Sequence, residues 1–300
     1  MSAVPVGRLG DSPPQARVWA YLMLTKPDVT FLVVLTTLAG FHLGSPGPLD
    51  FVLLVRTLFG TTLIAAGTSA LNHYLERGSD AKMRRTVNRP LPRGKLRPAE
   101  ALFFGVGLVL AGTACLVLRV NLLSGALGVA ACASYLAAYT PLKTRTTFAT
   151  FVGAFPGAVP PLIGWAAASG SLTLQAGILY AILFLWQFPH FLSIAWIYRE
   201  DYARAGILML PVVDRSGTAT FRQILGYSVA LVPASLLPSV VGMAGKFYLV
   251  GALLLGLALV QLGVWASQSK TNVRAKCLLQ ASVVYIPLLF GLMMLDKITG

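Results

Sequence analysis

A carboxamide and two carboxylates recur at every fourth position near the end of one apolar run: Asn72, Glu76 and Asp80. On an α-helix this spacing places the three side chains within an arc of about 80° and along a rise of about 12 Å. Such oxygen atoms are the ligands that Mg²⁺ prefers, and Mg²⁺ is usually shared with the phosphate groups of a substrate. The same spacing also fits two acids that only neutralise nearby basic residues, so the residues alone leave both interpretations open.

A strongly basic segment follows these acids. Eight Lys and Arg residues occupy the 21 positions from 77 to 97: Arg77, Lys82, Arg84, Arg85, Arg89, Arg93, Lys95 and Arg97. Guanidinium groups bind phosphate oxygens through two parallel N–H groups, so the combination indicates a metal ion and a phosphate-bearing ligand held together. Gly78 and Ser79 are poor helix formers, which leaves Asp80 either on the helix or on the turn that follows.

The rest of the chain has the composition of a membrane protein. Hydrophobic residues make up 56% of the 300 positions and charged residues only 11%, whereas a soluble domain has about 25% charged residues. Nine apolar runs are long enough to cross a bilayer, and they occupy residues 29–44, 51–75, 99–118, 122–139, 147–168, 173–198, 221–242, 247–267 and 275–295. We therefore predict an all-α fold, a polytopic membrane bundle of nine transmembrane helices around a central cavity. Residues 1–16 would form a flexible N-terminal tail, residues 17–300 a single domain, and residues 17–28 its amphipathic lead-in.

The distribution of basic residues predicts how this bundle lies in the membrane. If the spans alternate and the N-terminus is cytoplasmic, 20 of the 24 Lys and Arg residues fall on the cytoplasmic side. Cytoplasmic loops of membrane proteins carry this excess, so we predict a cytoplasmic N-terminus and a site near the cytoplasmic face. The net charge of +14 is thereby explained without nucleic acid, which we do not expect as a partner.

Two motifs in the acidic and basic region resemble a known family. The spacing of Asn72, Glu76 and Asp80 resembles the N-x3-D-x3-D motif of the UbiA superfamily of intramembrane prenyltransferases, with Glu76 where the superfamily usually has Asp. Residues 80–91 (DAKMRRTVNRPL) resemble the D-x2-M-x-R-T-x2-R-P-L signature of the protoheme IX farnesyltransferase (heme O synthase) family. The glutamate keeps the ligand type and lengthens the side chain, so the resemblance still implies a metal-binding motif.

A histidine lies inside the sixth predicted span, within residues 186–191 (WQFPHF). An ionisable side chain at membrane depth is a functional candidate, although a lone histidine there can equally be a hydrogen-bonded structural residue. The string WQFPHF resembles the same family. This resemblance implies that His190 ligates heme iron or positions the porphyrin, and that Trp186 belongs to the same binding site.

The loop after this span resembles the second motif of the family. Residues 201–211 (DYARAGILMLP) match D-Y-x2-A-G-x2-M-L-P, but the D-x3-D spacing of the superfamily is absent because Ala205 stands four residues after Asp201. The resemblance therefore implies Asp201 as the acidic ligand from this half of the chain. Residues 139–145 (YTPLKTR) also resemble the family, and they place a basic pair where it could reach a diphosphate.

The resemblance covers roughly residues 20–295 and implies a reaction. A farnesyl group would pass from farnesyl diphosphate to a vinyl group of protoheme IX (heme b), giving heme O, with Mg²⁺ at the diphosphate. The implied catalytic residues are Asn72, Glu76, Asp80, Arg85 and Asp201, and the implied Mg²⁺ ligands are Asn72, Glu76, Asp80 and Asp201. The implied substrate-binding residues are Arg84, Arg89, Lys143, Arg145, Tyr139, Trp186, His190 and Tyr198.

Location, partners and two alternatives complete these expectations. The resemblance implies an integral protein of the bacterial cytoplasmic (inner) membrane, in contact with membrane lipid, and either a second copy of the chain or proteins of terminal-oxidase assembly as partners. One alternative is another UbiA-type enzyme that prenylates a quinone or chlorophyll precursor and shares the diphosphate end. The other alternative is a heme or lipid transporter, which would place its polar groups near the membrane midplane rather than at one face.

Overall fold

The computed structural model describes residues 14–298, which fold into helices joined by short loops. The helices are α1 (Pro14–Leu24), α2 (Pro27–Gly44), α3 (Phe51–Asp80), α4 (Pro98–Arg119), α5 (Leu122–Ser134), α6 (Thr140–Leu142), α7 (Ala149–Gly157), α8 (Pro160–Ser169), α9 (Leu174–Ile197), α10 (Arg199–Ala205), α11 (Leu210–Val213), α12 (Thr218–Val240), α13 (Lys246–Ser269) and α14 (Asn272–Leu295). A π-helical turn, Tyr135–Tyr139, joins α5 to α6.

Nine segments within residues 14–298 are long and apolar enough to cross a membrane. Seven of them are the single helices α2, α3, α4, α9, α12, α13 and α14. The other two are composite: Leu122–Leu142 joins α5, the π-helical turn and α6, and Ala149–Ser169 joins α7 and α8. The predicted all-α bundle with nine spans is therefore confirmed, and the protein is an integral membrane protein.

Proline residues decide where two of the predicted boundaries fall. The lead-in predicted at 17–28 is the helix α1, and a new helix begins at Pro27, the first helical position, where the missing proline N–H costs nothing. The fifth predicted span, 147–168, is interrupted at Ala158 and Val159 because Pro160 begins a second helix. Of the predicted tail, residues 1–13 lie outside the described residues, and residues 14–16 begin α1.

The helix α3 is longer than the predicted span 51–75. It continues without interruption through Gly78 and Ser79 and ends at Asp80, so Asp80 lies on the helix and not on the turn that follows it. Loss of helix propensity at two positions is outweighed here, because both residues lie in a helix of 30 residues that packs on its neighbours. All three spaced side chains therefore remain in helical register.

Glycine residues allow the spans around α3 to approach each other closely. A Cβ atom placed at Gly164 of α8 would lie 2.0 Å from the carbonyl oxygen of Thr37 on α2. A Cβ atom at Gly40 would lie 2.0 Å from the carbonyl oxygen of Pro161. Small residues at such crossings let helix backbones touch within a membrane, where packing replaces the hydrophobic effect. The two approaches pack α2 tightly against α8.

Candidate active site

The end of α3 presents the spaced oxygen ligands in a largely buried position. Asn72 is 1% exposed and Asp80 is 0% exposed, while the Glu76 side chain is 15% exposed. Burial of two carboxylates is costly unless each is paired or hydrogen-bonded. The packing around α3 therefore has to supply positive groups at these positions.

Basic residues from outside α3 meet both carboxylates. The Lys143 Nζ atom donates to Glu76 Oε1 at 2.6 Å, across 67 positions of the chain. The Arg89 Nη1 atom lies 2.9 Å from Asp80 Oδ1 and 2.8 Å from Asp80 Oδ2. These pairs bring together four of the residues that the sequence predicted, two acids with two cations.

Asn72, the third predicted ligand on α3, contacts a residue that no sequence motif indicated. The Lys26 Nζ atom donates to Asn72 Oδ1 at 2.7 Å. Lys26 sits at the break between α1 and α2 in a left-handed backbone conformation, with φ 47° and ψ 70°. Residues other than glycine rarely adopt this conformation, and such strain is often found at functional sites. The only sequence signal was a lysine directly before the proline that starts a span, and that signal does not reveal the backbone conformation.

Asp201 on α10 joins this region from the other half of the chain. Its Oδ2 atom accepts a hydrogen bond from the backbone N–H of Arg85 at 3.0 Å, across 116 positions. Its Oδ1 atom is paired with Arg204 of the same helix. The structure therefore brings Asp201 against the loop that follows α3, and the second acid of a D-x3-D pair is missing.

Aromatic side chains line the basic groups. The guanidinium carbon of Arg85 lies 4.9 Å from the ring centre of Tyr198 and 5.9 Å from that of Tyr202. The Nζ atom of Lys143 lies 4.2 Å from the ring centre of Tyr139. Cation–π contacts of this kind hold a cation in place without neutralising it. Tyr139 therefore contacts Lys143 and Tyr198 contacts Arg85, and each ring helps to position its cation.

A cleft of about 340 Å³ opens beside the Lys143–Glu76 pair and is lined also by Ser79, Thr140 and Ile207. Burial by itself would lower the pKa of Lys143, but Tyr139, Tyr135 and the Glu76 carboxylate raise it well above its usual value. The ammonium group therefore stays charged beside the cleft. The cleft therefore exposes one ammonium group to a bound anion, beside the carboxylate that pairs with it.

Four of the predicted substrate-binding residues lie away from these contacts. Arg84 and Arg145 are exposed to solvent. His190 lies on α9 and faces α14, where its Nδ1 atom is 2.9 Å from Ser282 Oγ. The ring of Trp186 stacks on His190 at 4.8 Å. The histidine and its tryptophan thus form a second cluster, separate from the acids of α3.

The donor set agrees with a divalent metal shared with a substrate. One amide oxygen and three carboxylates are hard ligands, and Mg²⁺ is usually bound by one or two carboxylates together with substrate phosphates. Within residues 14–298 no group of three His, Cys, Asp or Glu side chains converges to hold a metal by itself. The buried polar atoms that lack hydrogen-bond partners in this part of the chain include the Asn72 Nδ2 atom and both ring nitrogens of His73. Buried polar atoms normally have partners, so these atoms retain unused hydrogen-bonding capacity.

Comparison with known proteins assigns a family to this arrangement. Residues 33–286 match the model of the UbiA prenyltransferase family. The chain is 53% identical over 286 residues to a protoheme IX farnesyltransferase of Solibacter usitatus, and the match covers 92% of this chain and 98% of that protein.

Solved structures share the fold at low sequence identity. The structure of a digeranylgeranylglyceryl phosphate synthase superposes with a TM-score of 0.77 at 16% identity, over 93% of this chain and 98% of that one. A UbiA homolog from Archaeoglobus fulgidus, solved with DMAPP and Mg²⁺ bound, superposes with a TM-score of 0.65 at 15% identity, over 91% of this chain and 98% of that one. The likeness extends over nearly the whole bundle.

Proposed function

The chain belongs to the UbiA prenyltransferase family, and from this membership we propose that it transfers a farnesyl group from farnesyl diphosphate to a vinyl group of heme b, giving heme O. The observation that carries the proposal is the 53% identity to a protoheme IX farnesyltransferase over 98% of that protein's length. Similarity of this extent includes both motif regions and the segment around His190. The protein is therefore a prenyltransferase, and the transporter alternative loses its support.

The diphosphate end of the reaction is supported by the contacts at α3 and α10. Lys143 and Arg89 each hold a carboxylate in the structure, and Arg85 is held over Tyr198. In this proposal these three cations bind the diphosphate oxygens, and Lys26, which donates to Asn72 Oδ1, is a fourth basic residue of the site. The diphosphate group of farnesyl diphosphate, which carries up to three negative charges, would draw the cations from the carboxylates, because guanidinium and ammonium groups bind phosphate oxygens strongly.

The divalent ion in this proposal is Mg²⁺. Asn72, Glu76, Asp80 and Asp201 would hold it, and when bound it would neutralise the charge that develops on the departing diphosphate. The residues of the chain keep these ligands in place before substrate arrives. Asp201 is bonded to the backbone of Arg85, and the three ligands on α3 are fixed by helical register.

The chemical step follows from this arrangement. The allylic C–O bond of farnesyl diphosphate breaks, and the electron pair leaves with the diphosphate, which the cations of the site stabilise. The vinyl group of heme b attacks the allylic carbon, and water then adds to the carbon next to the porphyrin with loss of one proton. The product carries a hydroxyethylfarnesyl side chain. The apolar spans exclude other water from the farnesyl cation until the new bond has formed.

We place the site at the cytoplasmic face of a bacterial inner membrane. The supporting observation is the excess of Lys and Arg on the side of the N-terminus, 20 of 24, which is typical of cytoplasmic loops. Labelling of a cysteine introduced at the exposed Arg84 tests this, in a variant without the three native cysteines. A membrane-impermeant thiol reagent should label it in inverted vesicles and not in intact cells. Association with a second copy or with oxidase-assembly proteins stays a prediction.

The decisive experiment compares acceptors. Purified protein in lipid nanodiscs is incubated with farnesyl diphosphate, Mg²⁺ and either heme b or 4-hydroxybenzoate, a quinone precursor, and the products are separated and weighed by mass spectrometry. We expect a farnesylated, hydrated heme and release of diphosphate, both of which a metal chelator abolishes. Farnesyl transfer to the aromatic acid, with none to heme, would favour the quinone alternative and refute the proposal.

A further inference from the structure

The contacts of Ser282 determine which ring nitrogen of His190 carries a proton. The Ser282 Oγ atom lies 2.6 Å from the carbonyl oxygen of Leu279 and 2.9 Å from His190 Nδ1. A carbonyl oxygen only accepts hydrogen bonds, and a serine hydroxyl has one proton to donate. Two oxygen atoms at 2.6 Å need a proton between them, so the Ser282 proton points to Leu279. Ser282 Oγ must then accept a hydrogen bond from His190 Nδ1–H.

This assignment leaves the other nitrogen of the ring with a lone pair. A neutral imidazole that is protonated on Nδ1 has an unprotonated Nε2 atom, which accepts a proton or binds a metal. The side chain of His190 is half-buried, and its Nε2 atom is not one of the buried polar atoms that lack partners within residues 14–298. The lone pair therefore points towards accessible space rather than into the packed interior.

The orientation of the ring is fixed from two sides. The Trp186 indole stacks on the imidazole with an angle of 24° between the ring planes. The Trp186 Nε1 atom donates to the carbonyl oxygen of Ser282 at 2.7 Å, which ties the stacked ring to the same residue of α14. A flipped imidazole would lose the hydrogen bond to Ser282. Trp186 and Ser282, which are 96 positions apart, thus hold the His190 ring in one orientation and one tautomer.

We propose that Ser282 is a positioning residue that keeps His190 in the Nδ1–H tautomer, so that Nε2 binds the iron of the acceptor heme. The inference rests on the proposed function, because it requires an iron porphyrin as the acceptor substrate. Histidines that ligate metals usually donate their second ring N–H to an acceptor, which orients the ring and strengthens it as a ligand. Ser282 supplies that acceptor here, and the carbonyl of Leu279 orients Ser282 in turn.

The test measures heme binding without farnesyl diphosphate. Wild-type protein and the variants Ser282→Ala and His190→Phe are titrated with ferrous heme b, and absorbance and resonance Raman spectra are recorded. We expect an iron–histidine stretching band in the wild type and none in His190→Phe, which keeps an aromatic ring beside Trp186. Ser282→Ala should shift the band to lower frequency and weaken heme binding about 10-fold, because the ligand loses its hydrogen-bond acceptor.

Ser228→Ala serves as the matched control. The Ser228 hydroxyl is fully buried and donates to the carbonyl of Ile224 at 2.8 Å, on α12 and without an imidazole partner. We expect its band and heme affinity to equal those of the wild type. The inference is refuted if His190→Phe keeps the wild-type band, or if Ser282→Ala behaves like Ser228→Ala.

A parallel transfer assay separates this inference from the proposed function. If the wild type farnesylates heme but shows no band that depends on His190, the positioning role fails and the proposed function stands. If the wild type does not farnesylate heme under any condition, the proposed function fails, and the inference loses its substrate and fails with it.

Discussion

Replacement of Asp201 separates two roles that this carboxylate combines. Its oxygen accepts the backbone N–H of Arg85 at 3.0 Å, which joins the two halves of the site, and its negative charge is proposed to bind the metal. Asp201→Asn keeps an oxygen that can accept the hydrogen bond but removes the charge. Asp201→Ala removes both. The two variants should therefore differ in stability and agree in their loss of activity.

The structure sets the size of each effect. Asp201 is 7% exposed, so its hydrogen bond is little screened by solvent. A hydrogen bond to a charged group contributes about 1.5–3 kcal/mol and a neutral one about 1 kcal/mol. We expect Asp201→Ala to lower the free energy of unfolding by about 2 kcal/mol and Asp201→Asn by about 1 kcal/mol. The pair with Arg204 adds little, because the Arg204 side chain is 38% exposed.

The catalytic activity of the two variants tests the role of the negative charge on Asp201. Loss of one preorganised electrostatic group costs about 10²–10³ in kcat, equivalent to about 3–4 kcal/mol, and both variants should show this loss. Heme O formation is followed by chromatography, and unfolding in detergent is followed by thermal scanning. Asp214→Asn is the control, because Asp214 accepts hydrogen bonds from Thr220 at the start of α12 and should not affect turnover. Wild-type turnover in Asp201→Asn would refute the role of the charge.

Three further predictions concern charge, packing and pH. Lys143→Met should lower kcat/KM at least about 10-fold, because the 2.6 Å ion pair with Glu76 and the proposed diphosphate contact are both lost. The control Arg145→Met, at an exposed position, should keep a kcat/KM near that of the wild type. Steady-state kinetics compare the two variants. Gly164→Ala should lower the free energy of unfolding by about 1–3 kcal/mol or more, because its Cβ atom would lie 2.0 Å from a backbone carbonyl oxygen. The control Gly177→Ala should leave the stability unchanged, because its Cβ atom would have no neighbour within 4 Å. Thermal unfolding of the two variants measures the difference. Burial by itself would raise the pKa of Asp214, but hydrogen bonds from the start of α12 lower it below the usual value of 3.8. Ionised Asp214 therefore stabilises the folded protein above pH 3.8, and this stabilisation is lost as the pH falls further. The free energy of unfolding, measured as a function of pH, should fall less steeply below about pH 4 in Asp214→Asn than in the wild type.

The sequence by itself determined the features that depend on near neighbours along the chain. Hydrophobic runs of the length of a bilayer predict spans, because every backbone polar group in lipid must be bonded within its own helix. The spacing of Asn72, Glu76 and Asp80 predicts one helix face, because the repeat of an α-helix is local. The break of a helix at Pro160 is local too, although the predicted fifth span did not include it.

Only the tertiary structure decided which distant residues meet. Glu76 pairs with Lys143, Asp201 with the backbone of Arg85, and His190 with Ser282, at separations of 67, 116 and 92 positions. Helical periodicity does not specify the partner of a span, since lipid is as apolar as the residues that face it and helices associate through the detailed packing of small residues. The left-handed backbone of Lys26, which turns an ammonium group towards Asn72, likewise depends on the packing of α1 and α2 against the bundle.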